Sequence, residues 1–195
     1  GIPSTTSFDV GNAGSAPLNF SISATGDGLL DVYTATNAGV SSGFRSTVWT
    51  DPATAGSQAQ FSADDFTLDV ATKISTISAQ GFTVSGGAIA SVVSNLTWSI
   101  YPDSGGLPAG NPQTNAAAAS WTYTSTPAGT GVTTTGSSDI RLDLEAAGQN
   151  VTLPPGKYWV LVNTRSTFAN RWAWYGSNTG SSGFASITIA SNGSG

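Results

Sequence analysis

The sequence predicts an all-β fold, with two antiparallel sheets packed as a jelly-roll-like sandwich and an immunoglobulin-like sandwich as the alternative. Three observations carry this. Apolar residues recur with period two along most of the chain. Turn signals such as "TGDG", "TDPATAG", "VSGG", "PDSGG", "TPAGTG", "LPPG" and "GSSG" punctuate it at short intervals. Helical patterning is nearly missing: only "TNAAAAS" has helix formers, enough for one turn. Roughly ten short strands with Gly/Pro turns describe a sandwich or barrel.

The strands follow in chain order. Residues 1–26, with "SFDVGNAGSAPLNFSIS", stand apart from the rest, as a linker or an extra strand. Residues 27–195 form the sandwich domain. "DDFTLDV" places Phe66, Leu68 and Val70 inward and Asp65, Thr67 and Asp69 outward. In "TKISTISAQGFTV" Ile74 and Ile77 differ in parity, so a bulge or break lies between them. "NLTWSIY" alternates Leu96, Trp98 and Ile100 with Asn95, Thr97 and Ser99, then stops at "PDSGGLP". "DIRLDLE" sets Ile140, Leu142 and Leu144 against Arg141, Asp143 and Glu145, a strand with one solvated face. "KYWVLVN" is apolar on both faces and reads as a central strand covered on both sides. "FASITIA" closes the set with Ala185, Ile187 and Ile189.

Composition narrows the function. Only 9% of the 195 residues are charged, against 38% hydrophobic. Gly, Ser, Thr, Asn and Ala supply the surface, as in extracellular β-rich bacterial proteins. The net charge is −5 with 6 Lys and Arg in total. No basic stripe exists to meet a phosphate backbone or an anionic membrane surface, so nucleic acid is not an expected partner. No apolar run approaches the roughly 18 residues of a membrane span, so membrane insertion is not expected. No charged n-region and apolar h-region opens the sequence; an export signal is then already removed, or the chain is a piece of something longer.

The chemistry available is limited. With Cys 0 and His 0, the Ser-His-Asp and Cys-His nucleophilic systems and the usual zinc sites are excluded within this chain. Of 11 acidic residues only Glu145 is a glutamate, on a solvated strand face that nothing in the sequence suggests is buried. The chain is therefore expected not to be an enzyme. Calcium, which needs six to eight oxygen ligands, is the cofactor to test, with Asp64, Asp65 and Asp103 as candidate ligands and Asp27 and Asp31 as further oxygens. The competing reading of Asp103 is turn chemistry, with Gly105 and Gly106 at positive φ. That of Asp64-Asp65 is the acidic outer face of a strand.

Aromatics offer a second handle. Six Trp occur, and "RWAWYG" puts Trp172 and Trp174 on one side of a strand. Exposed, they would form a platform for sugar rings, with Trp159 and Tyr175 as further contacts. Buried, the same spacing fills a core between sheets. Four sequons, at Asn19, Asn95, Asn150 and Asn192, follow from an Asn- and Thr-rich composition.

Two resemblances add to this. "N-x-G-x-x-P-L" before "NFSIS" resembles the last strands of immunoglobulin-like repeats in bacterial surface proteins. "ADDFTL", an "I-x-x-I-x-x-x-GF" strand, "WSIYPDSGGLPAG", "LPPGKYWVLV" and "RWAWYG", in that order, resemble a secreted bacterial β-sandwich domain. Such domains are appended to exported subtilisin-like peptidases or to surface proteins. The resemblance spans residues 60 to 176 and implies a jelly-roll-like fold, an accessory role and a secreted or cell-surface location. It carries over no catalytic residues. The expected function is a non-catalytic extracellular accessory domain. A carbohydrate-binding module and a filament or adhesin subunit using strand complementation are the alternatives. Expected partners are a polysaccharide or a neighbouring domain of the same chain.

Overall fold

Strand β12 (Gly156–Ser166) organises the smaller of two sheets. Residues 158 to 164 are all buried, as its two apolar faces require. The computed structural model describes residues 20–26, 28–34, 43–177 and 184–190. The stretch 1–19, Asp27 and the "GSSG" turn lie outside these residues, as do the side chains of Asp31, Ala185, Ile187 and Ile189.

The smaller sheet adds β4 (Thr47–Trp49), β5 (Ser57–Leu68), β7 (Asn95–Pro102), β8 (Trp121–Ser125) and β14 (Phe184–Ala190). Its order is β14-β5-β4-β12-β7-β8, with β5 also pairing β12 directly. The other sheet has eight strands. Its spine is β6 (Thr72–Thr83), flanked by β1 (Phe20–Gly26) and β10 (Asp139–Asp143). Beyond these lie β2 (Gly28–Thr34) and β9 (Val132–Thr135). The ends of β6 carry β11 (Val151–Leu153) and β13 (Trp172–Tyr175), and β13 also pairs β3 (Gly43–Arg45). The pairing is antiparallel throughout except between β4 and β12, which run parallel.

The core lies between the sheets. Ile74, Ile77, Ile140 and Leu142 from the larger sheet, with Leu144 just past β10, meet Phe66, Leu96, Trp98, Ile100, Val160 and Val162 from the smaller. The parity break expected in β6 is a bulge. Ser23 of β1 stands opposite Thr76 and Ala24 opposite Ile74, so Ser75 is the extra residue. Both isoleucines then reach the core, 1% and 0% exposed. Val70 does not: β5 ends at Leu68, and Val70 is 58% exposed in the turn that follows. Among the described residues helix is confined to single turns: α1 (Pro52–Ala55), α2 (Ile89–Val92) and a 3-10 turn at Ala116–Ala118 inside "TNAAAAS". Residues Phe20–Gly26 are hydrogen-bonded into the larger sheet beside β6.

Trp172 and Trp174 are core residues, each 0% exposed, with ring centroids 6.1 Å apart. Gly81 makes room for Trp172. A Cβ there would collide with the Ala173 carbonyl oxygen and stand 2.5 Å from the Trp172 ring. Trp172→Ala is expected to cost about 3–5 kcal/mol through the cavity it leaves. Gly81→Ala is expected to cost about 1–3 kcal/mol through overpacking. Chemical denaturation of both variants measures these losses, and parent-like stability of Trp172→Ala would contradict its core position.

Candidate functional site

The outer face of the smaller sheet, turned away from the core, divides into a covered half and an open half. Strand alternation puts Trp159, Leu161, Asn163 and Arg165 of β12 on this face. Tyr101 of β7 and Phe61 and Ala63 of β5 join Trp159 and Leu161 in a small second core. The segment from Asp103 to Ser120 covers it, with Ala118 and Ala119 packed on the apolar side chains. Burial pushes the Tyr101 phenol up to about 12, although a hydrogen bond with Ser99 acts the other way.

The covering segment is tied down at its start. The Trp159 indole N–H donates to Asp103 Oδ1 at 2.8 Å, and the Gly106 amide donates to Asp103 Oδ2 at 3.0 Å. Gly105 and Gly106 turn the chain at φ 66° and 86°. Lys157 forms an ion pair with Asp65, and its ammonium lies 3.9 Å from Asp103 and 5.4 Å from the Trp159 ring centroid. Burial alone would raise the Asp103 pKa. The indole, the Gly106 amide and Lys157 outweigh it, holding the carboxyl below its ordinary value.

The candidate ligands from sequence divide between the two faces of β5: Asp64 lies on the core side, while Asp65 and Asp103 meet at Lys157. Asp64 is fully buried and aligned with Val160, whose side chain faces the core, and its Oδ1 accepts the Asp65 amide. Asp65, aligned with Trp159, belongs to the outer face. It is 5% exposed rather than part of a solvated acidic surface, because the second core and Lys157 cover that face. Lys157 supplies the positive charge between Asp65 and Asp103. Among the described residues no group of three or more His, Cys, Asp or Glu is placed to hold a metal ion. Trp159 is 1% exposed, and Trp172 and Trp174 present no face to solvent. Tyr175 is partly buried against Phe82, with ring centroids 5.0 Å apart. The four aromatics therefore form no common surface.

The open half is a groove of about 420 Å³. Val48 of β4 and Phe61 of β5 line one side, and Pro112, Gln113 and Ala116 of the covering segment also line it. The floor is polar: Asn163 and Arg165 of β12, Asn95 and Thr97 of β7, and Thr122 and Thr124 of β8. Register aligns them in rows. Asn163 stands opposite Thr97, and Thr97 opposite Thr124; Arg165 stands opposite Asn95. The Thr97 and Thr124 hydroxyls are hydrogen-bonded at 2.9 Å.

The groove opens where the sheet forks. β12 pairs β5 as far as Leu161 and β4 only from Thr164 onward. Asn163 falls between the two, 4% exposed, and its Oδ1 has no hydrogen-bond partner. Such an atom is costly unless something else satisfies it. Neither Asn163 nor Arg165 was singled out by the sequence. The available signal was the polar end of "KYWVLVN": Asn163 shares parity with Trp159 and Leu161, so it interrupts a second apolar face.

Fold and site together define a two-sheet β-sandwich with a polar groove on the outer face of one sheet. No protein-family model, curated protein or solved structure matches the chain.

The corner has an acid dependence. Asp103, with its lowered pKa, contributes stability that is fully present above its unfolded value, about pH 3.9. That stability is lost as pH falls through the lower folded value. Asp103→Asn is expected to melt below the parent at neutral pH, and the gap should close on acidification below about pH 4. Thermal melts across pH measure this; a constant gap would place the effect elsewhere than in the charge.

Proposed function

We propose that the chain is a non-catalytic extracellular accessory domain, jelly-roll-like, that binds a polysaccharide in the outer-face groove. The observation that carries the reading is the buried Asn163 amide, with an unfilled oxygen, on a floor of threonine hydroxyls. Amides and hydroxyls at sheet spacing offer donors and acceptors to a hydroxyl-rich chain. Phe61, Val48 and Pro112 provide the apolar contact that such sites combine with a few placed polar groups. The volume falls within the range of ligand sites. No carboxylate lines the groove, so the acid pair that glycoside cleavage requires is missing there. Binding without turnover is the chemistry these groups support. The low charge and the resemblance to domains appended to exported proteins favour an extracellular setting.

Asn163→Leu separates a binding residue from a structural one. Leucine has the same branched arrangement of side-chain heavy atoms and removes the unsatisfied oxygen, so stability is expected to hold or rise, by up to about 1–3 kcal/mol. Retention on polysaccharides in affinity electrophoresis is expected to fall at least tenfold. A parent that no polysaccharide retards, or a variant retarded equally, would overturn the reading.

A further inference from the structure

We infer that the groove takes an acidic polysaccharide, with Arg165 holding the carboxylate of a uronic acid unit. The inference rests on the polysaccharide-binding reading and narrows its ligand class. Arg165 is exposed and is the one charged residue lining the groove. Of the other cations, Arg45 lies over the Phe168 ring at 5.6 Å and Lys73 stands on β6 of the other sheet, away from the groove. Lys157 serves Asp65 and Asp103, Arg141 lies 3.7 Å from Asp143, and Arg171 stacks on Phe168 at 4.3 Å. Among the described residues the Arg165 guanidinium has neither ion pair nor hydrogen bond.

Its placement matches the second half of a two-part site. Arg165 and Asn163 point from the same face of β12 two residues apart, roughly 7 Å along the strand. An amide and a guanidinium at that spacing can take a hydroxyl and a carboxylate of one ligand chain. The planar guanidinium pairs a carboxylate through two parallel hydrogen bonds. With no acid in the groove, the rest of a net −5 chain does not oppose an anion there at short range. A phosphate-rich polymer would require several cations, and the groove holds one. One carboxylate per hydroxylated unit fits the set better.

The test uses the full chain with polygalacturonate, alginate and hyaluronate, each beside its carboxyl-reduced counterpart, and with neutral xylan and glucan. At least one acidic polymer should bind, its reduced form at least tenfold more weakly, and added salt should weaken the acidic complex alone. Arg165→Gln should erase the difference between acidic and reduced forms with an unchanged melting temperature, whereas Asn163→Leu should weaken both. Equal binding of acidic and reduced polymers, or an Arg165→Gln variant that still prefers the acidic form, would overturn the inference and leave the polysaccharide reading standing. Binding of neutral polymers alone would do the same. Failure of every polymer to bind would remove both.

Discussion

A sandwich has one interior, yet β12 has two apolar faces. One face of the strand, with Tyr158, Val160 and Val162, fills the space between the sheets. The other, with Trp159 and Leu161, must be covered from outside. The rest of the smaller sheet follows from meeting that demand. The chain leaves β7 at Pro102, crosses the outer face as a long covering segment, and returns at Trp121 to form β8. The Trp159–Asp103 hydrogen bond sets where the crossing begins. Ala118 and Ala119 of the segment pack on the apolar end of this face, and its Pro112, Gln113 and Ala116 line the groove beside Asn163, where the strand turns polar.

The fork in the sheet has the same origin. A β5 that followed β12 throughout would close the floor. Instead β4 enters between them, parallel to the end of β12. It is pinned by a bond of 2.9 Å between the Thr47 and Thr164 hydroxyls. Thr47 also donates to the Trp172 carbonyl at 3.0 Å, which ties the fork to the larger sheet. The groove therefore stands on rigid strands, and its polar side chains are set by register rather than by loop conformation. Sites built this way lose little order on binding.

Periodicity made much of the fold legible. Ile140, Leu142 and Leu144 alternate cleanly and all reach the core. The parity clash of Ile74 and Ile77 marked the Ser75 bulge, because a one-residue slip would otherwise turn one of them outward. The errors have a common cause: period two tells which residues share a face, not what covers that face. Alternation puts Asp65 on the outer face, correctly, but offers only a wet acidic surface or a cation to explain it. A distant segment and Lys157 cover it instead. Alternation also carries Val70 inward, because period two contains no end signal. Trp172 and Trp174 illustrate the ambiguity from the other side, since a platform and a core have the same spacing. The Asn163–Thr97–Thr124 row was illegible for a different reason: it joins three strands whose register depends on the assembled sheet.

On the proposed function, the outer face is half sealed and half receptive. Amide chemical-shift mapping during titration with an oligouronate tests it residue by residue. The account predicts shifts concentrated at Asn95, Thr97, Thr122, Thr124, Asn163 and Arg165, with the amides of Trp172 and Trp174 in β13 unmoved. Shifts centred on β13, or a saturable response that leaves the end of β12 untouched, would contradict it.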